Sequence, residues 1–78
     1  MDYKDRIISD YKIMLGKPVI KGTRITVELL LRKMAEGAIA KEILEMYPTL
    51  QLEDLKACLQ YAADVIAKEE VIEIAKAS

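Results

Sequence analysis

Few side chains in this sequence can do chemistry. Its 78 residues include no histidine and a single cysteine, Cys58. A hydroxyl or thiol nucleophile needs a neighbouring base, and a thiolate or imidazole metal site needs several ligands at fixed spacing. Neither is available. The carboxylates remain: Glu42 with Glu45, Glu53 with Asp54, and Glu69 with Glu70 and Glu73. Each group falls on the expected polar side of a helix, where a carboxylate is an ordinary solvated charge. Gly16 and Gly22 flank an extended piece and lack the spacing of a phosphate-cradling loop. No catalytic, cofactor-binding or metal-ligating residue is expected. The chain reads as a binding module and not an enzyme.

What it could bind is read from charge. The formal net charge of −1 conceals an asymmetry. Residues 1–27 carry six Lys and Arg against three Asp, whereas residues 28–78 carry six against ten Asp and Glu. The amino-terminal arm is basic, and Lys17, Lys21 and Arg24 are its candidates for contact with nucleic-acid phosphates. Farther along, a short helix, a turn around residues 48–51 and a longer helix have the order of a helix-turn-helix, whose second helix can enter a DNA major groove. Lys56, Gln60 and Tyr61 are the expected exposed readers there. Glu53 and Asp54 stand at the leading end of that helix and would repel phosphate, so the basic arm is the stronger candidate for DNA.

The elements that must position these groups follow from apolar spacing. Ile7–Ile8 and Ile13–Leu15 read as short strands, and Val19–Ile20 and Ile25–Val27 as two extended pieces joined by a turn at Gly22. Together they make residues 1–27 a basic arm with a short β-hairpin element. Thr26 can cap a helix over 27–36, where Val27, Leu30, Leu31, Met34 and Ala35 recur at helical spacing and Gly37 supplies the stop. A second helix fits 40–47, with Ala40, Ile43, Leu44 and Tyr47 on one face before Pro48. A third fits 52–68. Its expected core stripe is Leu52, Leu55, Leu59, Ala62 and Ile66, with Leu50 and Leu55 stapling the entry and Cys58 an inert neighbour. After Ile66 the stripe fails. Residues 69–78 are then a tail or a helix extension that carries Val71, Ile72 and Ile74 on a displaced face.

A chain of this length makes one domain, residues 1–68, with a marginal core. Yet 53% of its residues are apolar, a share that suggests contact with another chain. Leu29, on the polar face of the first helix, and Val71, Ile72 and Ile74 are the candidate partner-binding residues. The lone cysteine suits a reducing cytoplasm, and no segment has the composition of a cleavable signal or a membrane span. A soluble, cytoplasmic, homodimeric protein is expected.

The segment GKPVIKGTRITV, residues 16–27, is followed by Gly37, EIL at 42–44, YPTL at 47–50 and LEDLKACLQYA at 52–62. This pattern resembles the prokaryotic domain of unknown function 433 over residues 7 to about 66. The resemblance implies a mostly α fold: a homeodomain-like bundle of three or four helices with a helix-turn-helix, preceded by the β element and often dimeric. It also implies an antitoxin-like role beside a PIN-like nuclease toxin. A DNA-binding autoregulator acting on operator DNA and a dimeric scaffold are the alternatives. The chain departs from the family where Ser and Thr commonly cap helices. Ile39 and Gln51 stand there, at a cost of about 0.5–2 kcal/mol each unless another group replaces the bond.

Overall fold

The computed structural model describes residues 3–69. A 3-10 turn at Tyr3–Asp5 leads into strand β1 (Ile7–Ile8), which pairs antiparallel with β2 (Val19–Ile20). Ile7 lies opposite Ile20, and Ile8 opposite Val19. Three helices follow: α1 (Val27–Ala35), α2 (Ala40–Met46) and α3 (Leu52–Lys68). The fold is mostly α, with three helices and one short two-stranded sheet among the described residues.

Local chemistry sets the boundaries. Thr26 Oγ1 accepts from the Leu29 amide at 3.0 Å and opens α1. At the other end Gly37 takes φ +103°, while the Ala38 and Gly37 amides donate to Lys33 and Met34 carbonyls. These two bonds form the Schellman closure that a glycine in a left-handed conformation permits. Ile39 and Gln51 offer no side-chain cap, as their types dictate. The missing bond is replaced from the third helical residue: Glu42 accepts from the Ile39 amide at 2.9 Å, and Asp54 from the Gln51 amide at 2.8 Å.

Two sequence expectations are corrected. Ile13–Leu15 is not a strand. The Asp10 carboxylate accepts from the Lys12 amide and folds the chain back, and Met14, Leu15 and Gly16 then take φ of 51°, 56° and 84°. This left-handed turn, and not the tighter one at Gly22, closes the β1–β2 hairpin. Ile25 and Thr26 join the sheet only through an isolated bridge from Thr26 to Val19. At Gly22, with φ +83°, Thr23 braces the turn by donating to the Ile20 carbonyl and accepting from the Ile25 amide.

The second correction concerns α3. Leu55, Ala57 and Cys58 are buried, together with Asp54, but Leu52, Leu59 and Ile66 are 43%, 53% and 67% exposed. The helix is turned by about 100°, one residue step, from the expected orientation. The cause lies in the amino-terminal arm. Tyr3 packs edge-on against Tyr61 with ring centroids 5.4 Å apart, and Arg6 donates to Asp54 at 3.0 Å. The arm therefore claims the 54–57–61 side of α3 for the interior. Ile7, Ile20, Val27, Leu30, Ile43 and Leu50 complete the core from the other elements. Glu69 closes α3 in an extended conformation, so the helix stops where the apolar stripe does.

Candidate functional site

The orientation of α3 leaves one of its apolar rows exposed. Leu52, Leu59 and Ile66 are seven residues apart, so they line up along one side of the helix with Ala63 beside them. All four are exposed. The row runs about 21 Å, fourteen residues at the helical rise. Lys56 and Gln60 lie exposed on its flank, and Glu53 is exposed at the leading turn. α3 follows α2 through the turn at 47–51, closed by a bond from the Leu50 amide to the Tyr47 carbonyl. The chain order of α2, a short turn and α3 is that expected from the sequence. The outward face of α3 is an apolar strip flanked by one cation, Lys56, and by two carboxylates, exposed Glu53 and half-buried Asp64. This is the composition of a surface that meets another protein more readily than phosphate.

The basic arm supplies a second surface. Lys21 and Arg24 are exposed on either side of Gly22, and no ion pair involves them among the described residues. Lys17 is exposed but engaged, with Nζ 3.6 Å from Glu28 Oε1. Arg32 Nε donates to the other oxygen of Glu28 at 3.1 Å. That hydrogen bond, with the positive charge of Lys17, holds the Glu28 carboxyl below its ordinary range. The expected DNA contacts thus fall on two elements, Lys21 and Arg24 at the Gly22 turn and Lys56 and Gln60 on α3, with Lys17 tied to Glu28.

The reading of Tyr61 as an exposed base reader is corrected. Tyr61 is half-buried, edge-on to Tyr3, because the arm crosses that side of α3. Leu29 is 38% exposed on α1, as its place among charged neighbours suggested. Val71, Ile72 and Ile74 lie outside the described residues. The stripe residues Leu52, Leu59 and Ile66 were assigned to the core by sequence, so their exposure is a surface that sequence reasoning missed. Their heptad spacing was the available signal, but the same spacing also fits a core stripe.

Cys58 is fully buried, and burial, followed by the charge of Asp54, pushes its thiol up to about 11. It is held in the unreactive form. Among the described residues no group of three or more potential metal ligands occurs, and no helix is long and apolar enough to cross a membrane.

Comparison with known proteins bears directly on this arrangement. The family model described as "Protein of unknown function (DUF433)" matches residues 7–62, from β1 through the middle of α3. The chain belongs to the DUF433 family. A crystal structure of a DUF433 member from Anabaena variabilis is similar in fold, with a TM-score of 0.77 and 32% identity over 83% of this chain. The present chain spans 64% of the length of that structure. An uncharacterised protein from Archaeoglobus fulgidus is 62% identical over 24 residues, 31% of this chain and 67% of the relative. The DUF433 match takes in the arm from Ile7 onward with its Gly22 turn, and Leu52 and Leu59 of the exposed stripe, but not Tyr3 or Arg6. It stops short of Ile66.

Proposed function

We propose that this DUF433 protein is an antitoxin-like binding protein that neutralises a PIN-like nuclease partner through the outward face of α3. The observation that carries the reading is the row Leu52, Leu59 and Ile66, exposed along a helix whose other side buries Asp54, Leu55, Ala57 and Cys58. Covering each side chain removes apolar area from water at about 25 cal/mol per Å². The acidic balance of residues 28–78 favours a basic partner, such as a nuclease with a cationic nucleic-acid cleft. A reducing cytoplasm suits the buried thiol. The test is co-expression with the product of the adjacent gene. The wild-type chain co-purifies with it and relieves its toxicity, while Leu59→Asp remains folded and does neither. Absence of a complex with the wild type refutes the reading. A stable homodimer that buries Leu59 and binds no neighbour would replace it with the scaffold alternative.

A second reading rests on a different observation, the two unengaged cations at the Gly22 turn. Lys21 and Arg24 fit contact with the phosphates of operator DNA, and the role is autoregulation. Affinity should then fall steeply with salt, and Lys21→Ala with Arg24→Ala should abolish a gel shift on the protein's own promoter. An unaltered shift in that double variant ends this reading.

A further inference from the structure

The loop that closes the β1–β2 hairpin presents a separate apolar surface. Tyr11, Met14 and Leu15 are 77%, 41% and 76% exposed, and none belongs to the core. The loop is braced from within. The Lys12 amide donates to the Asp10 carboxylate, the Ile13 amide to the Asp10 carbonyl, and the Gly16 and Lys17 amides to the Ile13 and Met14 carbonyls. Met14 and Leu15 are held at φ 51° and 56°, where a side chain is strained and glycine is not. For Leu15 no burial among the described residues offsets that strain. An internally braced loop that holds three apolar side chains in water is preorganised for contact with another molecule.

Charge selects that molecule. Residues 11–27 hold four cations, Lys12, Lys17, Lys21 and Arg24, and no carboxylate, and all four are exposed. Glu28 pairs with Lys17, while no ion pair involves the other three among the described residues. The cations stand at both ends of the hairpin, Lys12 and Lys17 beside the apolar tip, Lys21 and Arg24 at the Gly22 turn beyond β2. From Lys17 to Lys21 is about 13 Å of extended chain. That exceeds the screening length of about 8 Å at physiological salt, so a flat anionic surface meeting the tip would gain little from the far pair. A linear polyanion running along the hairpin meets both. We infer that the hairpin tip, Tyr11 with Met14 and Leu15, supplies the base contacts of a duplex-DNA site whose phosphate contacts are Lys12, Lys21 and Arg24. This rests on the operator-DNA reading above and adds to it the element that touches bases. Leucine and methionine can wedge against a base step and a tyrosine ring can stack on a base, contacts that carry sequence preference where phosphate contacts do not. α3 is the weaker reader, because Tyr61 is half-buried and Glu53 stands at its leading turn.

The test compares a duplex of the protein's own promoter with a scrambled duplex of equal length across a salt series. The wild-type chain should prefer the promoter, with affinity for both duplexes falling as salt rises. Tyr11→Ala with Leu15→Gly should lower that preference about tenfold and leave the salt dependence unchanged, because base contacts release no counterions. Leu15→Gly alone relieves strain, so the chain stays folded, and it should lower the preference in the same direction. Lys21→Ala should weaken both duplexes alike and reduce the logarithmic salt slope by about 1. The inference is overturned if the tip variants keep the wild-type preference, or if they weaken both duplexes alike with a reduced slope. A wild type that binds the two duplexes equally overturns it and leaves the phosphate reading standing, whereas no binding to either at low salt ends both. Tip-dependent sedimentation with phosphatidylglycerol vesicles, with promoter preference intact in the variants, would assign the tip to a lipid surface and overturn the inference as well.

Discussion

The Arg6 guanidinium reaches across 48 residues of sequence to donate to Asp54 Oδ1 at 3.0 Å, while the other oxygen of the same carboxylate caps α3. Asp54 is 6% exposed, so its charge is satisfied by one partner from the arm and one from its own helix. Removing either partner leaves part of a buried carboxylate unpaired. Because the Arg6 side chain is 30% exposed, Arg6→Ala should cost about 1–2 kcal/mol in urea unfolding. Asp54→Ala loses the cap as well and should cost more. Asp54→Asn keeps an acceptor for the Gln51 amide and should fall between them. No loss in Arg6→Ala beside a full loss in Asp54→Ala would show that the arm does not orient α3.

The Thr26 hydroxyl makes a separable contribution to α1. Thr26→Ala should lower stability by about 1 kcal/mol, and Thr26→Ser should recover most of it, because serine offers the same acceptor to the Leu29 amide. Thermal unfolding followed by far-UV circular dichroism measures both.

The helix boundaries were legible because their causes are local: Thr26 before an apolar run, Gly37 after one, and Pro48 between two. The face of α3 was not. Leu55 and Leu59 both lie on apolar rows, and which row turns inward is settled by Tyr3 and Arg6, residues that local periodicity does not connect to the helix. The same limit applies to the left-handed turn. Gly16 signals a positive φ, but Met14 and Leu15 are types that disfavour it, and only the hairpin closure around Asp10 places them there. The basic arm was legible as charge. That Lys17 is tied to Glu28 while Lys21 and Arg24 are not depends on three-dimensional neighbours.

Leu15 gives a direct test of that turn. It is 76% exposed and held at φ 56°, a conformation that strains a residue with a Cβ. Leu15→Gly should therefore stabilise the protein by about 1 kcal/mol, opposite in sign to the usual effect of an added glycine. A loss of stability would mean that Leu15 makes contacts worth more than the strain.

Cys58 predicts a pH dependence of known sign. Its thiol is raised from 9.0 to about 11 in the folded chain, so above pH 9 the unfolded state releases a proton that the folded state retains. Stability from this group is fully present below pH 9 and is lost as pH rises from 9 toward 11. Cys58→Ala should flatten that part of the profile. At neutral pH, alkylation of Cys58 should be slow and should accelerate with urea in step with unfolding. Rapid alkylation without denaturant would place the thiol outside the core.

The orientation of α3 is tested by two leucines four residues apart. Leu55 is 3% exposed and Leu59 53% exposed, although both belong to the apolar row that periodicity selects. Leu55→Ala should cost about 2–4 kcal/mol, the loss expected when a buried leucine leaves a cavity. Leu59→Ser should change the stability of the isolated chain by less than about 0.5 kcal/mol, since it removes an exposed side chain. The same Leu59→Ser protein should lose most of its affinity for whatever covers the stripe, because the leucine is at the centre of a row extending seven residues to either side. Binding is measured by titration at protein concentrations where the variant is fully folded. If Leu59→Ser instead destabilises the isolated chain as much as Leu55→Ala does, α3 is rotated toward the sequence-expected face, and the exposed stripe on which the partner reading rests does not exist.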